Sequence, residues 1–206
     1  MNFNRRLLLK QTAMLTFALG VSTYASEKTD KELSYRYSPQ FYIGNPNAQT
    51  RIDFLFSLRC KDTRKFTKDI LHNLVESAYR KDDLCIVFHH IVKDTKKELD
   101  SAIELMNIDP NDYPDLMYTL LSWSADRGKG IHLKRAKKFK KKLKYSNDDS
   151  FDSEIAKGML AVLRLHADEN KVTESPSIFI NGKLFGMQLD KEAFLVLLED
   201  EAGYTL

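Results

Sequence analysis

The sequence is poor in the residues that mark several common protein classes. Only two of its 206 residues are cysteine, so neither a disulfide scaffold nor a cysteine-built zinc site is expected. Eight glycines and five prolines are too few for flexible repeats or a collagen-like chain. Hydrophobic residues still make up 43% of the chain, which excludes a disordered protein and suffices for the core of one domain.

Motifs for phosphate, serine-hydrolase and metal chemistry are also missing. The chain has no glycine-rich phosphate-binding loop and no Gly-x-Ser-x-Gly elbow. Its five histidines are scattered, and His89 and His90 alternate between the two faces of a predicted strand. We therefore expect no metal site and no cofactor.

The formal net charge of +3 is explained by the first 25 residues. Arg5, Arg6 and Lys10 have no acidic counterpart in that stretch. The 32 bases less these three equal the 29 acids, so the remainder is formally neutral. A neutral remainder removes the main electrostatic argument for nucleic-acid binding.

Residues 1–25 have the pattern of a signal peptide. A basic start is followed by the short apolar run Ala13–Val21 and by small residues before Ser26. The run is too short to span a bilayer as a helix. The segment Asn4–Lys10 resembles the twin-arginine export motif, and an ordinary Sec signal is the alternative. Export predicts a bacterial periplasmic protein in which thiol oxidation is permitted, with residues 26–39 as a polar linker.

Hydrophobic patterning after this linker predicts an α/β domain over residues 40–202. A buried strand at Arg51–Ser57, an amphipathic helix to Arg80 and a buried strand at Leu84–Val92 form a βαβ unit with a right-handed crossover.

The second half of this domain follows a block of helices. Residues 95–171 are predicted to be helical, and a hairpin with an Asn181-Gly182 turn and a closing helix at Lys191–Asp200 follow. The order βαβ, helices, ββα is that of a thioredoxin-like fold with a helical insert.

Three segments resemble the DsbA-like branch of the thioredoxin superfamily. Ile43–Ala48 looks like the family's lead-in to its first core strand, and Phe56–Phe66 is similar to its strand-to-helix active-site turn. Val172–Lys183 resembles the family's cis-proline loop and following hairpin. The resemblance implies a thioredoxin-like fold and thiol-disulfide exchange chemistry.

The active-site segment departs from the family pattern at two positions. The family has two cysteines separated by two residues, whereas the chain reads Cys60-Lys61-Asp62-Thr63 and cannot close an internal disulfide there. The family's carboxylate six residues before the first cysteine is replaced by Phe54, with Asp53 beside it facing the other side of the sheet. These departures predict a single-thiol variant or a loss of redox chemistry.

The predicted catalytic residues are Cys60, Lys61 and Thr63. At the start of a helix, backbone N–H groups and the helix dipole favour a thiolate at Cys60, and Lys61 adds a positive charge. Thr63, three residues on, can donate its hydroxyl to that thiolate. Asp62 acts in the opposite direction, and an inert cysteine is the alternative interpretation.

Cys85 is interpreted as a core residue. It lies within an apolar strand, and free cysteine is among the most buried residue types. It stands near the start of its strand, whereas Cys60 follows the end of a parallel one. The two cysteines are therefore expected beyond the roughly 7 Å between Cα atoms that a disulfide can bridge.

The predicted substrate groove is formed by Ser175 and Pro176. Pro176 matches the family's cis-proline, which packs across from the active-site cysteine. The bend leaves the backbone of Ser175 free to pair with an extended peptide. The alternative is an ordinary trans turn before the hairpin.

The segment Lys134–Lys144 is unusually basic, because eight of its eleven residues are Lys or Arg. Its other residues, Ala136, Phe139 and Leu143, form one narrow apolar line at helical spacing. One interpretation is a solvated helix face. The other is a patch that contacts an acidic partner or an anionic lipid surface. That patch consists of Lys134, Arg135, Lys137, Lys138, Lys141 and Lys142.

Taken together, these patterns predict an exported thiol-disulfide oxidoreductase or isomerase of the DsbA-like type that works through one cysteine. Its expected partners are cysteine-containing envelope proteins or glutathione-like thiols, and no nucleic acid. The alternative is a redox-silent binding or chaperone module of an envelope assembly.

Overall fold

The computed structural model describes most of the chain beyond its first 40 residues. The described residues are 41–92, 96–109, 111–145, 147, 152–185 and 190–206. The chain divides into a unit of residues 1–40 and a unit of residues 41–206, and all described residues belong to the second. The predicted signal peptide and linker lie outside the described residues.

A five-stranded mixed sheet forms the centre of the second unit. Its strands lie in the order β1-β3-β2-β4-β5, with β2 and β3 parallel and the other pairs antiparallel. This arrangement confirms the predicted thioredoxin-like fold, although β2 and β3 end one or two residues earlier than the sequence indicated. The strands are β1 Tyr42–Gly44, β2 Thr50–Phe56, β3 Leu84–His90, β4 Ser177–Ile180 and β5 Lys183–Phe185.

Six helices surround the sheet in the described part of the chain. The first, α1, is α-helical over Lys61–Phe66 and His72–Arg80, with a π-helical turn at Thr67–Leu71 between them. The others are α2 Lys96–Met106, α3 Tyr113–Arg127, α4 Leu133–Leu143, α5 Ser153–Glu169 and α6 Lys191–Ala202. Among the described helices, none combines the length and apolar character that crossing a membrane requires.

Both faces of the sheet are buried, as the apolar strands predicted. Phe54 of β2 stacks on Phe66 of α1 at 5.2 Å between ring centroids, and Phe66 meets Phe194 of α6 edge-on at 5.6 Å. On the opposite face, Leu55 and Phe179 belong to a smaller cluster with residues of α5 and the chain before β4. The central strand is therefore fixed from both sides, which holds its carboxyl end in place.

Strand β1 was not predicted, because three residues are too few for a readable period. Tyr42–Gly44 pairs antiparallel with β3, and the segment then turns at Gly44. Gly44 has a φ of 93°, and a Cβ there would lie 2.2 Å from the carbonyl oxygen of Leu84. Only glycine allows the close approach in which Asn45 N–H donates to that oxygen at 3.1 Å.

Candidate active site

Cys60 lies at the junction between β2 and α1. The backbone turns sharply after Phe56, with Cys60 N–H donating to the carbonyl of Ser57 at 3.1 Å. Cys60 is the N-cap residue of α1, with an extended backbone conformation, and its side chain makes no capping hydrogen bond. The first-turn N–H groups of α1 therefore have no partner from the Cys60 side chain and stay beside a half-buried thiol.

The loop before β4 approaches the same thiol. The Ser175–Pro176 peptide bond is cis, and both residues are buried. The Cys60 thiol donates to the carbonyl oxygen of Ser175 with an Sγ–O distance of 2.7 Å. The structure thus brings together the cysteine and the two residues of the predicted groove, although Cys60 and Ser175 are 115 positions apart in the sequence.

The Ser175 side chain links the two loops, a role that sequence reasoning missed. Its Oγ accepts a hydrogen bond from Ser57 N–H at 2.8 Å and lies 3.1 Å from Oγ1 of Thr63. All three residues are buried. Ser175 therefore couples the position of the groove to that of the cysteine turn through both its carbonyl and its hydroxyl.

Thr63 stands in a different environment from the one expected of it. The sequence allows its hydroxyl to donate to a Cys60 thiolate, and the structure places that hydroxyl 3.1 Å from Oγ of Ser175. Thr63 is only 1% exposed. It therefore occupies the place of the family's second cysteine as a buried group that holds the groove loop.

Charged residues flank the thiol on α1. Lys61 and Asp62 are both exposed, so their opposite charges partly offset each other at the helix start. Arg64 was not predicted to take part, yet its Nη1 donates to the carbonyls of Arg59 and Cys60 at 3.1 and 3.0 Å. A guanidinium is thus held within the first turn after the thiol.

A buried acidic side chain of helix α2 contacts the cysteine turn. Glu98, in the first turn of α2, is 5% exposed and accepts a hydrogen bond from the Ser57 hydroxyl at 2.5 Å. The same hydroxyl oxygen accepts from Arg59 N–H at 3.3 Å. The insert therefore supplies an acid to the active-site turn, whereas the family position for a carboxylate holds the core residue Phe54. No local signal in the sequence connects Glu98 to a residue 41 positions earlier.

Cys85 stands at the other end of the sheet, paired in register with Arg51 at the start of β2. It is 1% exposed, and burial raises the pKa of its thiol to about 11. Both cysteines are free. A buried thiol with so high a pKa is a poor nucleophile, since the thiolate is the reactive form.

Asp53, the acidic residue next to Phe54, belongs to a structural cluster on the opposite face of the sheet. Burial alone raises the pKa of Asp53, but hydrogen bonds from His89 and Arg51 outweigh it and bring that pKa down to about 2. His89 Nε2 lies 2.9 Å from the Asp53 carboxylate, and Arg51 donates to it at 2.8 Å. These partners account for the charge of Asp53 without a catalytic role.

His90 is turned to the other face and lies in the core. It is 2% exposed and its ring stacks on Phe56 at 5.4 Å between centroids. Neither ring nitrogen has a hydrogen-bond partner among the described residues. Burial lowers the pKa of this histidine to about 4, so it is neutral at physiological pH. Within the described part of the chain, no group of three or more His, Cys, Asp or Glu side chains could hold a metal ion.

The basic segment forms helix α4, and its cations differ from one another. Lys140 is buried, and its Nζ donates to the carbonyls of Glu104 and Asn107 at 3.0 and 2.7 Å. Arg135 lies over the Trp123 ring at 4.5 Å, and Lys137 Nζ is 3.6 Å from the carboxylate of Glu104. The predicted patch is therefore narrower than its six residues. Its exposed members without an ion pair inside the described ranges are Lys134, Lys138, Lys141 and Lys142.

Comparison with solved structures identifies the same fold in three bacterial proteins. The thiol-disulfide exchange protein α-DsbA2 of Wolbachia pipientis is 16% identical, with a TM-score of 0.66 over 85% of this chain and 94% of that chain. The catalytic domain of Proteus mirabilis ScsC is 10% identical, with a TM-score of 0.67 over 86% and 97%. A periplasmic thioredoxin-like protein from Salmonella enterica serovar Typhimurium is 11% identical, with a TM-score of 0.62 over 81% and 92%.

No curated protein matches the chain. The family model described as thioredoxin does match it, over residues 37–200. The match includes the cysteine turn, the helical insert and the cis-proline loop, and the neighbouring folds confirm the resemblance to DsbA-like proteins. The chain therefore belongs to the thioredoxin family.

Proposed function

We propose that this protein is an exported thiol-disulfide exchange protein that acts through Cys60 on cysteine-containing proteins of the bacterial envelope. One observation carries the proposal. The Cys60 thiol stands at the start of a helix, half-buried, and 2.7 Å from the carbonyl of the residue before the cis-proline. This is where an extended substrate would bring its sulfur, because the groove backbone pairs with the substrate strand.

The reaction follows from having a single thiol. The Cys60 thiolate attacks one sulfur of a substrate disulfide, so that a Cys60–substrate bond forms and the substrate S–S bond breaks. The released substrate thiolate takes up a proton. A second thiol, from the substrate itself or from a glutathione-like molecule, then attacks the mixed disulfide and frees Cys60. Isomerisation is complete when the second thiol comes from the substrate itself. Reduction needs two external thiols: the first frees Cys60 and forms a disulfide with the substrate sulfur, and the second attacks that disulfide, so that the external thiol leaves as its own disulfide and the substrate is fully reduced.

Each neighbour of Cys60 has a defined part in this scheme. The first-turn N–H groups of α1 and the Lys61 ammonium place positive potential beside the sulfur that attacks. Ser175 offers its backbone to the substrate once the thiol has lost its proton and no longer donates to the carbonyl. Thr63 positions that loop through Ser175 and does not react. The groove is therefore set before the substrate arrives.

Comparisons support the cellular setting of the proposal. One structural neighbour is a thiol-disulfide exchange protein and another is periplasmic. The signal-peptide pattern of residues 1–25 indicates the same compartment, where disulfides form and persist. We expect a mature chain that begins near Ser26.

A redox-silent binding or chaperone module is the second candidate. The observation that favours it is the buried Thr63, which gives the site no second thiol with which to release a bound substrate. In that case the groove of Ser175 and Pro176 holds a peptide without any sulfur chemistry.

The test is exchange with a disulfide of a small aromatic thiol, followed by absorbance and by mass spectrometry of the intact protein. Wild-type protein and Cys85→Ser should react alike, whereas Cys60→Ser should react at least about 100-fold more slowly because the only accessible thiolate is gone. Equal rates for wild type and Cys60→Ser would support the binding module instead.

A further inference from the structure

We infer that the preferred substrates are acidic, with negatively charged residues flanking the target cysteine. Those residues would lie on a basic surface that runs from Cys60 to α4. This inference rests on the proposed function and names the substrate class of the same site. The surface, called here the basic track, consists of Arg59, Lys61, Lys129, Lys134, Lys138 and Lys141, all of them exposed.

The loop before α4 packs directly on the cysteine turn. Ile131 N–H donates to the carbonyl of Leu58 at 3.0 Å, two residues before Cys60. A Cβ at Gly130 would lie 3.2 Å from the Cα of Arg59, so the two backbones are in contact. Helix α4 begins at Leu133, two residues after Ile131. The first lysines of α4 therefore lie next to the active-site turn.

Positive charge dominates the turn itself. Arg59 and Lys61 flank the thiol, and the guanidinium of Arg64 is held at the carbonyls of Arg59 and Cys60. Asp62 and Glu174 are the acidic sequence neighbours of the cysteine turn and of Ser175, and the carboxyl of Glu98 is buried beneath the turn, where it accepts from the Ser57 hydroxyl. Neither Arg59 nor Lys61 forms an ion pair with another described residue.

The orientation of α4 decides which of its cations continue the track. Ala136 and Lys140 face inward, where the Lys140 ammonium also meets Oδ1 of Asn147 at 3.0 Å. Lys134, Lys138 and Lys141 follow at i, i+4 and i+7, so they share the outward face. At 1.5 Å of rise per residue, this row is about 10 Å long. This row continues the positive charge of the cysteine turn along α4.

An extended acidic segment is the partner that fits this geometry. A row of separate ammonium groups on a convex helix offers point charges, which match carboxylates spaced along a peptide. A lipid surface would also require apolar side chains to insert among the lysines. On α4 only Leu143 is an exposed large apolar residue, and it is 39% exposed. The basic track also ends at the Cys60 thiol, which a substrate protein must contact in order to react.

The test compares peptides that differ only in the charge around one cysteine, each presented as a mixed disulfide with the same aromatic thiol. At low salt, wild-type protein should react with the acidic peptide about tenfold faster than with the basic one. That preference should fall below about twofold at roughly 0.5 M NaCl, because the charges are exposed. The double variant Lys134→Glu/Lys138→Glu should lose or reverse the preference while keeping the wild-type circular dichroism spectrum and melting temperature.

The matched control reverses two cations at the far end of the sheet. Arg80 and Lys191 line one pocket at the carboxyl end of α1, so Arg80→Glu/Lys191→Glu makes the same change in net charge away from the track. This control should keep the wild-type preference. Equal loss in both double variants would show that net charge alone acts, and it would overturn the inference.

A second measurement separates the two proposals. The same peptides with serine in place of cysteine are titrated by fluorescence anisotropy, which needs no sulfur chemistry. Tighter binding of the acidic peptide without any mixed disulfide would uphold the track and refute thiol exchange. Mixed disulfides at equal rates for all peptides would refute the track and uphold exchange. If the protein instead sedimented with phosphatidylglycerol vesicles and showed no preference among the peptides, the inference would be overturned in favour of a lipid surface.

Discussion

The βαβ and ββα parts of the fold, called here the framework, differ from the helical insert between them in how the side chains near the candidate site are held. In the framework, Cys60 is placed by the turn after β2, and Ser175 by the cis bond before β4. In the insert, Glu98 and Lys140 are placed by partners distant in the sequence, at Ser57 and at the end of α2. The framework therefore positions the candidate site, while the insert packs against it and adds surface charge.

The insert is nevertheless joined to the active site at two points. The Glu98 carboxyl accepts a hydrogen bond from the Ser57 hydroxyl, and Ile131 N–H donates to the carbonyl of Leu58. Both contacts fall on the short turn that presents Cys60. Changes in the framework should therefore alter reactivity first, and changes in the insert should alter stability and substrate choice.

The largest expected effect comes from restoring the family's second thiol with Thr63→Cys. In a mixed disulfide, the introduced thiolate attacks the sulfur of Cys60, forms an internal disulfide with it and expels the substrate thiolate. Because the attack is intramolecular, the lifetime of adducts should fall by about 100-fold or more. Quenched-flow mass spectrometry of the adduct measures this lifetime.

Thr67→Cys is the matched control for that variant. Thr67 is also buried in α1, and its hydroxyl donates to the carbonyl of Thr63 at 2.8 Å. The thiol introduced there would stand seven residues from Cys60, too far along the helix to reach the adduct. If both variants shortened the lifetime equally, the proximity argument would be wrong.

His90 makes the framework core sensitive to acid. Its folded pKa of about 4 lies below the unfolded value near 6.5, so the stabilising neutral form is complete above about pH 6.5. As the pH falls towards 4, the unfolded chain binds the proton first, and the free energy of unfolding drops by about 1.4 kcal/mol per pH unit. His90→Phe keeps the stacking on Phe56 and should recover about 2 kcal/mol at pH 5.

Urea denaturation of wild type and His90→Phe at pH 7 and at pH 5 measures this difference. The variant should lose distinctly less stability between the two pH values than the wild type does. Parallel losses in the two proteins would mean that His90 is not responsible for the acid sensitivity.

Lys140 tests the insert side of the comparison. Lys140→Met keeps the length of the side chain but leaves the carbonyls of Glu104 and Asn107 without their donor, which should cost about 2 kcal/mol in the free energy of unfolding. The adjacent exposed residue gives the control, since Lys141→Met should change stability by less than about 0.5 kcal/mol. Exchange with a small neutral disulfide should stay at the wild-type rate in Lys141→Met. Equal melting temperatures for the two variants would refute the bracing role of Lys140.

The sequence predicted the framework well because its signals are local. Apolar runs predicted β2 and β3, the Asn181-Gly182 turn predicted the β4–β5 hairpin, and the amphipathic pattern that ends at Arg80 predicted α1. Within the insert, only its helical character was predicted. Lys140 looks like its lysine neighbours in sequence, and its burial depends on carbonyls of another helix.

The candidate site was predictable in part for the same reason. The resemblance to DsbA-like proteins implied that Pro176 packs across from Cys60, and the Cys60 thiol lies 2.7 Å from the carbonyl oxygen of Ser175, the residue before that proline. The hydroxyl of Ser175 joining Ser57 and Thr63, and the carboxylate of Glu98, depend on tertiary contacts more than 40 positions apart. A strand of three residues such as β1 likewise carries too little pattern to be seen.

The central claim is that Cys60 exchanges disulfides while Cys85 does not. Its most direct test is incubation of the native, reduced protein with glutathione disulfide near pH 8, followed by mass spectrometry of the intact chain and of its peptides. We expect one glutathione adduct per chain, located at Cys60. Cys85 should react only after unfolding, because burial raises the pKa of its thiol to about 11. An unmodified native chain, or an adduct at Cys85 in place of Cys60, would contradict this account.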